Sequence, residues 1–169
     1  MGGPVSGAIN SAGICMSAVL SFDGPQLRPM TKEDLSGVMA IEERVYPFPW
    51  SEGIFRDCLR VGYFCMVYET TGEIHGYGVM SVAASECHIL NVSIHWQCQK
   101  QGLGARLVEY LLAMARHYRA RMAFLEVRKS NKQARRLYDH AGFNEIGVRS
   151  NYYPAKGGKE DALILAKTL

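Results

Sequence analysis

The segment Gln99-Lys100-Gln101-Gly102-Leu103-Gly104-Ala105 has the most specific local pattern in this chain of 169 residues. It follows a predicted strand that ends at Ile94, and it leads into a helical pattern with an apolar residue at every fourth position from Leu103 to Ala115. The first turn of a helix offers free N–H groups and the positive end of the helix dipole to an anion. The glycines let the backbone approach a diphosphate, and Lys100 and Arg106 add positive charge. The segment predicts an anion site, although an ordinary strand-to-helix turn with solvated side chains also fits this spacing.

Patterns on both sides of this segment predict one domain in which helices and strands alternate. The predicted strands are 26–30, 63–68, 74–83, 87–94, 122–127, 143–152 and 162–167, and the predicted helices are 32–46, one starting at 51, 102–118 and 131–141. The turn-forming residues from Pro154 to Lys159 are expected to separate the last two strands. The order βααβββαβαββ is typical of an α/β sheet with helices on both faces.

Length and composition exclude several classes of protein. A chain of 169 residues fits one domain, and 48% hydrophobic with 21% charged residues is ordinary for a globular protein. The net charge of +3 is too small to indicate direct nucleic-acid binding by itself. No apolar run approaches the ~20 residues that a membrane span requires. We therefore expect a soluble protein that contacts neither nucleic acid nor membrane.

The cysteines and the first residues indicate where the protein works. Five cysteines without a CxxC pair or zinc spacing favour a reducing cytoplasm and no metal site. Residues 1–22 carry no charged side chain, so the basic region of a secretory signal is missing. Residues 1–26 contain five of the 17 glycines and no periodicity, and we interpret them as a flexible extension, with Met16 as an alternative start. The domain is expected to span 27–169.

Glu126 is a candidate general base on the residue pattern alone. It interrupts the apolar run Ala123-Phe124-Leu125 and Val127, a strand that reads as apolar on both faces. A buried carboxylate is unfavourable unless it is paired, and burial raises its pKa and makes it a better base. A carboxylate in such a position could take a proton from a reacting group. The alternative is a structural ion pair with Arg128 or with a helix residue.

Several motifs together resemble the GNAT acetyltransferases and, within that superfamily, the ribosomal-protein-alanine N-acetyltransferase (RimI) group. The segments that carry the resemblance are Phe48-Pro49-Trp50-Ser51, Leu90-Asn91-Val92-Ser93-Ile94, Gln101-Gly102-Leu103-Gly104, Leu125-Glu126-Val127-Arg128, Ser130-Asn131, Leu137-Tyr138, Gly142-Phe143-Asn144 and Asn151-Tyr152-Tyr153-Pro154. The match covers about residues 27–167. It implies a mostly antiparallel mixed sheet with a splayed strand pair, acetyl-CoA as the donor, and a protein N-terminal α-amine as the acceptor.

The resemblance also implies a set of cofactor-binding residues. Val92, Ser93 and Ile94 would hold the acetyl and pantetheine arm through backbone hydrogen bonds, and Lys100 through Ala105 would hold the diphosphate. Asn131 would reach the cofactor from the next helix, although asparagine at that position is equally typical of an N-cap. The acetyl-CoA site is thus expected between the fourth strand and the two helices that follow it.

Tyr138 would protonate the leaving CoA thiolate according to the resemblance, whereas its position on a predicted inward stripe also fits core packing. No cysteine lies in these motifs, which favours direct attack of the amine over an acyl-enzyme. Trp50, Tyr152 and Tyr153 are candidates for the acceptor groove, with core packing as the alternative.

The implied substrate is the N-terminal alanine of a ribosomal protein, bS18 of the small subunit, with the enzyme a monomer or weak dimer. The sequence also leaves open a GNAT enzyme that acetylates a small amine or a lysine side chain, or a non-catalytic CoA-binding module.

Overall fold

The computed structural model describes residues 25–169, so all but the last two residues of the predicted extension 1–26 lie outside the described residues. The elements are β1 (Gln26–Pro29), α1 (Leu35–Val45), α2 (Glu52–Arg60), β2 (Phe64–Thr70), β3 (Glu73–Ala83), β4 (Glu86–Ile94), α3 (Leu103–His117), β5 (Met122–Arg128), α4 (Lys132–His140), β6 (Asn144–Ala155) and β7 (Gly158–Thr168). Short 3-10 turns precede α1 and follow β4, at Lys32–Asp34 and Trp96–Cys98. The predicted α/β element order is confirmed.

The seven strands form one mixed sheet in the order β1-β2-β3-β4-β5-β7-β6. Only β4 and β5 pair in parallel, and every other neighbouring pair in the sheet is antiparallel. The β4–β5 pairing ends at Ile89 and Leu125, whereas β4 continues to Ile94 and β5 to Arg128. The two strands therefore separate over their last residues, which confirms the predicted splayed pair and opens a gap in the sheet.

Helices cover both faces of the sheet, as predicted. On one face, α1 and α2 bury Val38, Ile41 and Phe55 against β3, and on the other face α3 buries its apolar stripe. Leu107 and Leu111 of that stripe have no exposed surface. A fully buried leucine contributes roughly 1.5–3 kcal/mol to the free energy of unfolding, so this stripe fixes α3 on the sheet.

The last hairpin corrects one sequence prediction. The residues from Pro154 to Lys159 do not form a loop, because β6 runs to Ala155 and β7 starts at Gly158. Pro154 pairs with Lys159, and the turn is confined to two residues, of which Gly157 has a φ of 83°. Because β6 is an edge strand, the missing N–H of a proline is tolerated there. Turn-forming residues alone were a poor guide to the length of this connection.

Among residues 25–169, no helix is both long and apolar enough to cross a membrane.

Candidate active site

The connection from β4 to α3 presents backbone N–H groups to the gap between the splayed strands. Its Gly102 is the N-cap of α3, with a φ of 81° that favours glycine and with no side-chain capping hydrogen bond. The N–H groups of the first turn are therefore open to an anion. Lys100 also adopts a left-handed φ, of 61°, a conformation that is unfavourable for a residue with a side chain and that is found at ligand-binding turns.

Two glutamine side chains brace this connection. The Nε2 of Gln99 donates to the carbonyl oxygen of Ile94 at 3.1 Å, and the Nε2 of Gln101 donates to the carbonyl oxygen of Gln97 at 3.2 Å. Gln101 therefore shapes the turn and does not line the cavity between the splayed strands. Leu103, also predicted at the cofactor site, is buried in the core below it.

A cavity of about 770 Å³ opens where β4 and β5 separate. Eight of the ten predicted cofactor-binding residues line it, namely Val92, Ser93, Ile94, Lys100, Gly102, Gly104, Ala105 and Asn131. Its wall carries three cationic side chains, Arg44, Lys100 and Arg128, and no aspartate or glutamate of the described chain. This charge distribution is typical of a site for a polyanion.

The end of β4 has the hydrogen-bonding groups that a pantetheine arm requires. Backbone groups beyond Ile89 have no β5 partner, and the carbonyl of Val92 accepts a hydrogen bond of 3.0 Å from Tyr46. The Ser93 hydroxyl is buried and has no hydrogen-bond partner among residues 25–169. A buried hydroxyl without a partner is unfavourable by about 1–3 kcal/mol. The residues present therefore fit a CoA thioester.

Asn131 performs the capping role and also faces the cavity. Its Oδ1 accepts a hydrogen bond of 3.0 Å from the backbone N–H of Ala134, which caps α4. The residue lines the cavity, and its Nδ2 makes no hydrogen bond within the described residues. The two interpretations that the sequence left open are therefore compatible.

Glu126 is less buried than the sequence predicted, so that expectation was wrong. Its side chain is 26% exposed, and its Oε1 lies 3.1 Å from the Nε of Arg149 on β6. On β5, burial alternates, with Leu125 and Val127 inward and Glu126 and Arg128 on the half-exposed face. An ion pair exists, but its partner is neither Arg128 nor a helix residue.

Tyr138 of α4 is buried, and its ring meets Phe143 edge-on with centroids 5.8 Å apart. Burial raises the pKa of Tyr138 above its usual range, and the neighbouring Tyr46 and Tyr153 raise it further. The hydroxyl therefore keeps its proton at neutral and mildly alkaline pH. Tyr138 does not itself line the cavity, but the preceding residue, Leu137, does.

The three aromatic residues predicted for the acceptor groove lie in two different parts of the structure. Tyr152 and Tyr153 lie together beside β5, and the hydroxyl of Tyr153 donates to the carbonyl oxygen of Glu126 at 3.2 Å. The carboxylate of Glu126 raises the pKa of Tyr152, while burial raises the pKa of Tyr153 to about 12. Trp50, in contrast, packs against Phe55 with centroids 5.4 Å apart.

An exposed aromatic that sequence reasoning missed lies next to this pair. The ring of Phe48 is 43% exposed, and the guanidinium carbon of Arg128 lies 5.8 Å from its centroid and 4.4 Å from that of Tyr153. Arg128 thus contacts both the segment between α1 and α2, which carries Phe48, and the β6–β7 hairpin, which carries Tyr152 and Tyr153. The segment Phe48-Pro49-Trp50 contains the signal, but the exposed aromatic is Phe48 and not Trp50.

Glu42, also missed, fixes the α1–α2 connection to the sheet. Its side chain is only 1% exposed. One carboxylate oxygen accepts from the backbone N–H of Trp50 at 2.7 Å, and the other accepts from the hydroxyl of Tyr77 and from Asn91 at 3.3 Å. A buried carboxylate with three donors is a strong anchor, because breaking any of these hydrogen bonds leaves a buried polar group without one of its partners. No local pattern in the sequence marks this network.

Within residues 25–169, no group of three or more histidine, cysteine, aspartate or glutamate side chains is placed to hold a metal ion.

Comparison with known proteins identifies the class. The acetyltransferase (GNAT) family model matches residues 35–143. The chain belongs to this family and is an acetyl-CoA-dependent N-acetyltransferase, which confirms the prediction from the motifs.

Particular relatives narrow the class further. The ribosomal protein bS18-alanine N-acetyltransferase of Escherichia coli strain K12 is 36% identical over 133 residues, which cover 79% of this chain and 90% of the relative. The crystal structure of the ribosomal-protein-S18-alanine N-acetyltransferase from Escherichia coli superposes with a TM-score of 0.80 at 33% identity, covering 85% of this chain and 93% of that one. Arabidopsis thaliana Naa50, solved with a bisubstrate analogue, shares the fold, with a TM-score of 0.75 at 17% identity and 86% and 99% coverage.

Proposed function

We propose that this enzyme transfers the acetyl group of acetyl-CoA to the α-amine of an N-terminal alanine, that of ribosomal protein bS18. The observation that carries the proposal is the cationic cavity at the strand gap, whose wall residue Arg128 lies 4.4 Å from the ring centroid of Tyr153, the partner of Tyr152 in the aromatic pair. The sequence similarity to bS18-alanine N-acetyltransferases supports the choice of acceptor. We further propose that the enzyme acts in the cytoplasm as a monomer or weak dimer, with its catalytic domain starting after residue 26.

The donor site would use the residues that line the cavity. When bound, acetyl-CoA supplies the activated acetyl thioester. The first-turn N–H groups of α3 and Lys100 would bind the diphosphate, with Gln101 and Leu103 shaping the turn from outside. Val92, Ser93 and Ile94 would align the arm along β4, where the backbone lacks a β5 partner.

Glu126 would take the proton from the incoming α-ammonium, directly or through a water. Its half-exposed position favours this role over a purely structural one, because an acceptor from solvent can reach it. Arg149 would hold the carboxylate in place through one oxygen while the other remains for the proton. The ion pair therefore has a positioning role in this proposal.

Tyr138 would give its proton to the departing thiolate, and this role leads to a pH prediction. A thiolate with a pKa of ~8.5 needs little help, so Tyr138→Phe should lower kcat only about ten-fold. Because burial raises the pKa of Tyr138, wild-type kcat should not decline between about pH 8 and about pH 10 through loss of this proton. Profiles of kcat against pH for both proteins test this. A declining limb that is present in wild type and absent in the phenylalanine variant would show that the hydroxyl titrates normally.

The acceptor should be an extended peptide N-terminus with a small first residue. Phe48, Tyr152 and Tyr153 would contact the peptide, and Trp50 would support the α1–α2 connection from the core side. A lysine side chain has a pKa of ~10.4, more than two units above that of an N-terminal amine. That difference disfavours lysine by about 3 kcal/mol if both amines are placed equally well.

A peptide panel tests the proposed acceptor. Peptides that differ only in the first residue are incubated with acetyl-CoA beside N-blocked lysine peptides and polyamines, and mass spectrometry locates the acetyl group. The Ala-initiated peptide, especially with the bS18 sequence, should have the highest kcat/KM. Faster acetylation of the lysine peptides or the polyamines would overturn the proposal and favour a small-amine or lysine acetyltransferase.

A further inference from the structure

Three stacked side chains, Arg44, Trp96 and His95, lie at the α1 side of the cavity and have no part in the proposed mechanism. The guanidinium carbon of Arg44 lies 5.5 Å from the centroid of the Trp96 ring. That ring also stacks on His95, with centroids 3.7 Å apart and an interplanar angle of 27°. Both Arg44 and Trp96 line the cavity, and Trp96 is 43% exposed. The stack thus holds the guanidinium of Arg44 at the cavity wall, and this cation comes from α1 and not from the α3 turn.

The charge of Arg44 is not balanced by a carboxylate of the described residues. Within residues 25–169, Arg44 makes no ion pair, whereas Arg128 on the same cavity wall lies 3.5 Å from Glu160. Nothing acidic in the described residues lines this cavity, although the neighbouring cavity beside α1 is lined by Glu33, Asp34 and Glu73. An arginine fixed on an aromatic face and left without a carboxylate is well suited to bind phosphate.

We propose that Arg44 binds a phosphate group of CoA and that Trp96 is a positioning residue for it. This inference rests on the proposed function and adds a side chain from α1 to the backbone N–H groups of the α3 turn. The cofactor would then be held from two separate elements, the end of α1 and the start of α3. Cation–π stacking reduces the rotamer freedom that Arg44 would lose on binding, which strengthens the contact.

Calorimetry with variants of Arg44 is the first test. Arg44→Gln should weaken acetyl-CoA binding about ten-fold, as expected for loss of one charge-assisted hydrogen bond at a partly exposed site. Arg60→Gln is the matched control, because Arg60 is also in the last turn of a helix but lies on α2 away from the cavity. The difference between wild type and Arg44→Gln should shrink as salt rises. Equal dissociation constants for wild type and Arg44→Gln at low salt would overturn the inference.

Truncated donors show which group Arg44 contacts. With S-acetylpantetheine, which lacks the nucleotide phosphates, wild type and Arg44→Gln should have the same kcat/KM. The 3′-dephospho form of acetyl-CoA separates the two phosphate sites. If Arg44→Gln binds this donor as tightly as wild type does, Arg44 contacts the 3′-phosphate. If the variant still binds it more weakly, Arg44 contacts the diphosphate. An equal defect with S-acetylpantetheine would mean that Arg44 acts on the fold or on the acceptor, contrary to the inference.

Tryptophan fluorescence tests the role of Trp96 without measuring activity. The chain has two tryptophans, Trp50 and Trp96, so Trp50→Phe leaves Trp96 as the single reporter. Its emission should change on titration with CoA, with the same midpoint as calorimetry. Trp96→Leu combined with Arg44→Gln should weaken binding no more than Arg44→Gln alone, whereas additive losses would reject the positioning role.

The result for wild type separates this inference from the proposed function. If wild type fails to bind acetyl-CoA, the proposed donor site is wrong. If wild type binds acetyl-CoA and acetylates the alanine peptide while Arg44→Gln is indistinguishable from it, only the role of Arg44 is wrong.

Discussion

Gly104→Asp should abolish acetyl-CoA binding while the protein stays folded. Gly104 is the second residue of α3 and lines the cavity where the diphosphate would meet the helix N-terminus. A Cβ built there lies 3.5 Å from Leu137 and 3.8 Å from Ile94, which are ordinary contacts, so the fold accommodates a side chain. The carboxylate, however, would occupy the anion site and repel the phosphates.

Gly53 provides a matched control for this variant. Gly53 is likewise the second residue of a helix, α2, and a Cβ there would meet only the Ser51 hydroxyl, at 3.6 Å. Gly53→Asp therefore introduces the same side chain at the same helical position outside the cavity. Calorimetry should give normal acetyl-CoA affinity for this control and no detectable binding for Gly104→Asp. Unchanged affinity in both, with matching circular dichroism spectra, would remove the α3 turn from the donor site.

Glu126→Gln should lower kcat by ~10²–10⁴, the usual contribution of a general base. The amide keeps the shape of the side chain, and its oxygen still accepts from Arg149, so the local structure should persist. Part of the lost activity should return at high pH, where the α-amine is already neutral. Steady-state kinetics against pH with the Ala-initiated peptide measure both effects.

Arg149→Gln distinguishes a base from a structural ion pair. It removes the cation and keeps the Glu126 carboxylate, so a role limited to the ion pair would make the two variants equally impaired. If Glu126 is the base, the Arg149 variant should lose much less kcat than Glu126→Gln. Wild-type turnover of Glu126→Gln near pH 7 would assign Glu126 a structural role.

The parts of the molecule that local patterns describe could be predicted from the sequence. The stripe from Leu103 to Ala115 is buried as its helical spacing predicted, and Gly102 has the positive φ of a glycine-dependent helix start. Such features depend on neighbours within a few residues. The resemblance to the GNAT family then supplied the splayed strands, which pairing rules alone do not specify.

The features that depend on distant pairing could not be predicted. Glu126 meets Arg149 because the sheet places β6 only two strands from β5, within reach of two long side chains, and the order of elements along the chain does not fix this strand order. The expectation that Glu126 is buried came from reading β5 as apolar on both faces. The alternation of Glu126 and Arg128 with Leu125 and Val127 was the available sign of one half-exposed face. Glu42 gives no local sign, since its donors come from β3, β4 and the α1–α2 connection.

The anchor at Glu42 bears on how the enzyme handles successive substrates. Irregular segments over an active site commonly open and close on the microsecond-to-millisecond timescale, and such opening can limit turnover. Here the amide of Trp50 is tied to a buried carboxylate, and Pro47 and Pro49 restrict the backbone just before it. We therefore expect the connection to stay in place during turnover and the Trp50 amide to exchange slowly with solvent. Peptide entry and product release would then leave this connection in place, and the choice among acceptors would depend on the shape of a fixed opening.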